Sequence, residues 1–253
     1  MKIIKPWIEI ERIDGKSIMK NIEKACRTCY RSENLITEES YKNLIKNCLN
    51  RGHESILEHE KITIRMCCDI GVYKDLTRHR FGSFSIESTR YCNYGKDKFD
   101  NEIKFIEPCN IDKKELFNEW YSACTEIEQR YLKMAELGAT PDQMRMILPH
   151  STAAEVVMTA NIREWRHILS LRASKMTHPS VQQLMIPLLL YFKRCMPELF
   201  EDINYNEEFP IDKYAEIRKV TDDDEKWRRI KKRARTWKDE KGNILYCLSG
   251  SIE

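Results

Sequence analysis

The chain has 253 residues, 42% hydrophobic and 33% charged, which suits one large globular domain with a heavily charged surface and excludes a low-complexity, disordered polypeptide. With 43 Lys and Arg against 40 Asp and Glu, the net charge of +3 supplies no long-range field of the kind that gathers nucleic acid, so any anion site has to be local. The apolar stretches stop short of the eighteen or so residues that a membrane span needs, and the ten cysteines follow a start broken by Lys5 and Pro6, so a soluble protein of the reducing cytoplasm is expected.

In chain order, Ile8, Ile10 and Ile13 stand among charges in near alternation and predict a half-buried first strand over residues 3–13, closed by the Asp14-Gly15 turn. Ile18, Ile22 and Cys26 fall at four-residue steps, and Thr37 ahead of Glu38, Glu39 and Leu44 reads as a capped start, so two helices are expected within residues 16–50. Cys26-Arg27-Thr28-Cys29 has the spacing of a redox pair or half a zinc site. A second CxxC is missing, and helix-facing thiols explain it better. Residues 61–67 alternate strictly, with Ile62, Ile64 and Met66 on one face, and form the clearest strand. If residues 72–80 continue as a helix, Asp75, Arg78 and His79 share a face.

Leu116, Trp120, Cys124, Ile127 and Tyr131 predict one long amphipathic helix over residues 113–137, ending at Gly138. Residues 149–159 return to β-type side chains. Asn161 then opens a helix with Glu164 as its capping-box partner, Ile162, Trp165 and Leu169 as its apolar stripe, and Arg163 and His167 on another face. A further helix is expected over residues 180–195, kinked or split at Pro187. The irregular alternation of strands and helices places the chain in the α+β class. Composition changes after residue 207, which divides a main domain of residues 1–207 from a charged extension of residues 208–253. In that extension eight cations fall between residues 226 and 238, and Trp227, Ile230 and Trp237 suggest a helical apolar edge.

Two segments carry obvious chemistry. Arg78-His79-Arg80, followed by Gly82, Ser83, Ser85, Ser88 and Arg90, offers fork-shaped donors and hydroxyls suited to phosphate oxygens, although a solvated basic helix end produces the same triplet. His53, Glu58 and His59 are eligible metal ligands, but their spacing is not HExxH and a third firm ligand is lacking, so hydrogen bonding or stacking ranks above ligation and no metal is expected.

The order Arg-His-Arg, seven residues, Ser88, then Arg90-Tyr91 resembles the signature of flavin-dependent thymidylate synthases, with Ser85 where the family has Asn and Ile86 where many members have Glu. Residues 52–59 resemble the family's His-x-Ser/Thr-x-x-Glu-His segment. Residues 145–149 resemble its Ala-Arg-x-x-Leu-Pro block, Met144 replacing the small residue, and residues 161–172 are similar to its Asn-x-Arg-x-x-x-His/Asn-x-x-x-x-Arg helix. The resemblance covers roughly residues 1–205.

It implies a central, mostly antiparallel sheet flanked by helices, in a single domain assembled into a homotetramer with shared active sites. It also implies reductive methylation of dUMP to dTMP on bound FAD, with methylenetetrahydrofolate as carbon donor and NADPH as reductant. Residue by residue, the resemblance assigns His53, Ser55, Arg78, His79, Arg80, Ile86, Asn161, Arg163 and His167 to FAD. Asp75, Arg78, Glu87, Ser88, Arg90, Arg145 and Arg172 are assigned to dUMP, with Arg172 as the catalytic residue that favours the ionised pyrimidine at N3. Ser88 has no adjacent base to activate it and is expected to bind rather than attack.

Overall fold

The computed structural model describes residues 1–10 and 13–218, together with the backbone of residues 235–238 and 244–247. The alternating segment becomes strand β3 (Lys61–Asp69), with Ile62, Ile64 and Met66 inward and Lys61, Thr63 and Arg65 outward. It pairs along its whole length with antiparallel β6 (Ala153–Asn161), Ile64 standing opposite Met158. On the solvent face the Thr63 and Thr159 hydroxyls meet at 2.8 Å and Arg65 pairs with Glu155, so each face carries the side chains its environment favours.

The expected first strand divides in two. Pro6 has no N–H for a ladder, and on either side of it β1 (Lys2–Ile4) and β2 (Trp7–Glu9) take different partners. β2 pairs antiparallel with β3, whereas β1 runs parallel to β5 (Lys104–Ile106). With β4 (Ser83–Ile86) beside β6 and β7 (Glu216–Arg218) parallel to β2, the main sheet has the order β4-β6-β3-β2-β7 and is mostly antiparallel.

Helices cover its apolar face. Helix α1 (Gly15–Thr28) is capped by Asp14, whose carboxylate accepts the Ser17 N–H at 3.0 Å. A Cβ at Gly15 would lie 2.2 Å from the Cys195 carbonyl oxygen, so only glycine lets the two chain segments approach this closely. Helix α2 (Ser40–Asn50) starts later than Thr37 predicts: the Ser40 hydroxyl accepts the Thr37 N–H and donates to the Thr37 carbonyl, folding those residues into a turn before the helix. Cys26 faces Cys48 across α1 and α2 with 3.6 Å between sulfurs, as a helix-facing thiol, while Cys29 is exposed beyond the end of α1.

Helix α3 (Ile70–Leu76) is shorter than expected. The Thr77 hydroxyl donates to the Lys74 carbonyl, and the N–H groups of Arg78 and His79 bond three residues back, to Asp75 and Leu76, so the chain tightens and leaves the helix. The Arg-His-Arg triplet consequently lies in a turn leading into β4, not on a helix face. Helix α4 (Lys114–Glu136) forms as predicted and is followed by Gly138 in the left-handed region at φ +85°. It buries Cys124, Glu128 and Tyr131 beside Phe105 and Tyr94 in a second, smaller core.

In the main core, α6 (Ile162–Arg172) is tied to the sheet by Trp165, fully buried, whose indole N–H donates to the Ile62 carbonyl at 3.0 Å. Helix α7 (Pro179–Cys195) passes through Pro187 without splitting. Proline leaves the carbonyl four residues back without its helical donor, and that carbonyl, Gln183 O, accepts the Ala215 N–H at 2.9 Å. Buried Phe209 and Ala215 and strand β7 carry the packed body past residue 207 to Arg218. Residues 235–238 and 244–247 form an antiparallel pair, so Trp237 stands in a strand rather than in the expected helix; Trp227 and Ile230 lie outside the described residues. Among the described residues no helix is long and apolar enough to cross a membrane.

Candidate active-site cleft

The turn after α3 and the first turns of α6 face each other across a cleft of about 1210 Å³. Arg78, His79 and Arg80 form one side, Asn161, Arg163 and His167 another, and Glu54 and Glu58 enter from the 3-10 turn at Glu54–His59. Three sequence blocks far apart in the chain therefore meet at one site. Asn161 opens α6 as expected, its side chain accepting the Glu164 N–H at 2.8 Å. The Glu164 carboxylate, however, turns toward His79 instead of completing a capping box. From the opposite wall Arg163 donates to Glu58 at 2.6 Å and lies 3.4 Å from Glu54.

His79 is only 6% exposed. Its Nε2 accepts from Arg172 Nε at 3.0 Å, its Nδ1 lies 3.4 Å from Glu164 Oε1, and its ring meets the edge of His167 at 5.8 Å. Burial, together with the nearby Arg172 and His167, lowers its pKa to about 4, so the imidazole is neutral at neutral pH. Burial pushes the Glu164 carboxyl upward. Arg172 is held at a second point by the Asp75 carbonyl, which accepts from Nη2 at 3.0 Å; the backbone of Asp75, rather than its carboxylate, makes this contact.

The remaining predicted residues lie elsewhere. His53 and Ser55 are exposed and do not line the cleft, although their neighbours Glu54 and Glu58 do. Ile86 and Glu87 line a second cleft of about 480 Å³ with Arg65, Tyr94 and Glu155. There the Glu87 carboxylate accepts the Tyr94 hydroxyl at 3.0 Å and the Glu155 N–H at 3.2 Å. Arg90 and Arg145 form a third group, converging on one carboxylate oxygen of Asp142 at 3.5 and 3.2 Å. Half-buried Ser88 precedes Arg90, its carbonyl accepting the N–H groups of Tyr91 and Cys92. Within one chain the dUMP set is thus spread over three surfaces.

Sequence reading missed Arg166, Ser170, Lys175, Asp202 and Tyr205, which also line the first cleft. Arg166 makes a two-point pair with Asp202 at 2.8 and 2.7 Å, and among the described residues its buried Nε has no partner. Helical spacing from Arg163 is the one signal that marks it; Asp202 and Tyr205 are brought in by the return of the chain after α7. Among the described residues no three His, Cys, Asp or Glu side chains group as a metal site requires.

Residues 15–198 match the family model described as thymidylate synthase complementing protein. The flavin-dependent thymidylate synthase of Pyrococcus abyssi is 30% identical over 186 residues, 72% of this chain and 70% of that protein. That of Thermosipho melanesiensis is 30% identical over 190 residues, 70% of this chain and 82% of that protein. The fold is similar to the UMP/dUMP methylase PolB of Streptomyces cacaoi, solved with 5-Br dUMP (TM-score 0.68, 21% identity, 79% of this chain and 96% of that one). It is also similar to ThyX of Helicobacter pylori, solved with FAD and dUMP (TM-score 0.64, 20% identity, 78% and 98%). The chain belongs to the flavin-dependent thymidylate synthase family.

Proposed function

We propose that the protein methylates dUMP to dTMP, using FAD as its cofactor, methylenetetrahydrofolate as carbon donor and NADPH as reductant. The observation that carries this reading is the convergence of Arg78, His79 and Arg80 with Asn161, Arg163 and His167 on one cleft, with Arg172 bonded to the His79 that lines it. The residues present fit a dinucleotide: the cleft is larger than the roughly 300 to 1,000 Å³ of drug-sized sites, and the unpartnered Nε of Arg166 adds a buried donor to its cationic wall. FAD, when bound, supplies the redox chemistry.

The protein's own share is binding, orientation and charge. Arg78, Arg80 and Arg163 suit the pyrophosphate, and His79, neutral and buried, keeps an acceptor available for Arg172. The Arg172 guanidinium favours negative charge developing on the pyrimidine at N3. Arg90 and Arg145 suit the dUMP phosphate, and Ser88 adds a hydroxyl. The dispersal of these groups over three surfaces of one chain supports a homotetramer whose sites draw on several copies. Exposed Phe81, Tyr91, Met146 and Met176 supply apolar surface for such contacts. His53, Ser55, Ile86, Glu87 and Asp75 would meet their ligands only in that assembly.

An absorbance spectrum tests the reading at its root. Flavin bands near about 375 and 450 nm are expected in the purified protein or after adding FAD, with dTMP formed from dUMP only when both co-substrates are present. A protein that shows no flavin bands even with added FAD overturns it.

A further inference from the structure

We propose that Glu164 is a positioning residue for Arg172, acting through the imidazole of His79. A guanidinium has N–H groups and no acceptor, so the 3.0 Å contact from Arg172 Nε requires a bare lone pair on His79 Nε2. A neutral imidazole carries one proton, which must then sit on Nδ1. Nδ1 faces the Glu164 carboxylate at 3.4 Å. The carboxylate therefore selects the tautomer that Arg172 needs, much as an outer carboxylate orients a metal-bound histidine.

Placement argues the same way. Glu164 is 8% exposed, an unfavourable setting for a carboxylate unless cationic or donor groups lie near it; His79 Nδ1 stands 3.4 Å away and His167 also favours its charge. Its backbone is fixed by the Asn161 cap, so the side chain leaves the first turn of α6 at a defined angle, while Arg172 lies at the other end of the same helix. One rigid helix thus holds both ends of the chain Glu164–His79–Arg172, with the histidine bridging from the turn after α3. His167, also on α6, is the other titratable group against the ring, and the Asp75 carbonyl is the second hold on the guanidinium.

Loss of the carboxylate changes the bridge specifically. Glu164→Leu leaves Nδ1 without its acceptor, so the tautomer with the proton on Nε2, set against the Arg172 Nε–H, gains population. The guanidinium then keeps only the Asp75 carbonyl. This inference rests on the assignment of Arg172 to dUMP, and the test separates the two. In full-length protein labelled with 15N-histidine, with the His79 signals identified by a His79→Gln control, the unsubstituted chain is expected to show protonated Nδ1 and bare Nε2 at neutral pH. Glu164→Leu is expected to shift that tautomer and to lower kcat for dTMP by ~tenfold or more, with KM for dUMP within about twofold because ground-state binding is spared, whereas Glu164→Gln, whose amide oxygen still accepts, is expected to keep the tautomer. An Nε2-protonated His79 in the unsubstituted chain overturns the proposal without any variant. So does a Glu164→Leu protein with unchanged kcat. A protein that makes no dTMP at all refutes the functional reading instead, and the tautomer still decides whether Glu164 sets His79.

Discussion

Arg172 and Ser88 stand at opposite ends of what one side chain contributes. Arg172→Ala removes the guanidinium bonded to His79 and is expected to nearly abolish dTMP formation, whereas Ser88→Ala is expected to leave measurable turnover; steady-state rates compare them. Asp142 is a subtler case. Its carboxylate already holds Arg90 and Arg145, so under the proposed assignment a substrate phosphate would have to take both arginines from it. Asp142→Asn is expected to tighten dUMP by about threefold, the small effect usual for exposed charges, without altering the affinity for deoxyuridine, and calorimetric titration of the two ligands measures this. For His79, the unfolded chain takes up a proton near the usual 6.5, and the folded one only near about 4. The unfolded state therefore binds more protons between these values, and stability from this group is lost as pH falls from about 6.5 to about 4. Glu164, raised by burial, contributes the opposite slope, so the thermal midpoint should be followed in parallel for His79→Gln. Residue identities in the main motifs were legible because their spacing is distinctive. The link from Glu164 to Arg172 was hidden: capping-box spacing explained that glutamate, and the 3.4 Å contact to His79 depends on a turn placed by a different strand.

Among the elements, those with long, regular periods were readable. The alternation of β3 and the apolar spacing of α4 both survive in the structure because burial imposes them at every second, or every third to fourth, residue. Endings were less visible. Helix α3 stops at Leu76 although nothing apolar marks the stop, because Thr77 bonds back to Lys74 and tightens the chain. Pro187 suggested a break in α7, yet the helix continues, because a donor from residue 215 replaces the missing one. That donor belongs to a segment which composition assigned to the extension. The segment also buries Phe209 against Tyr214, with their rings 6.1 Å apart and nearly parallel. Phe209→Ala is expected to cost about 3 kcal/mol, read from the urea midpoint.

At the scale of the molecule, a single chain presents three partial surfaces, which argues for sites completed by neighbouring copies. Arg145→Ala and Arg172→Ala, each expected to be inactive alone, should recover activity when co-expressed. If each site takes the two arginines from different chains, random mixing restores about a quarter of the sites. Sites built within one chain would recover nothing. Assembly was expected from resemblance only, since no residue pattern within one sequence marks which surfaces meet.

The bond from Ala215 to Gln183 also bears on the order in which the protein is made. Helix α7 leaves the ribosome some thirty residues ahead of its donor. Until residue 215 emerges, its most buried turn has a carbonyl that only water can satisfy, and water must leave before the core can close. The last strand of the sheet thus acts as a completion signal: nascent chains ending before it should remain protease-sensitive at α7, and those that include Arg218 should become resistant in one step.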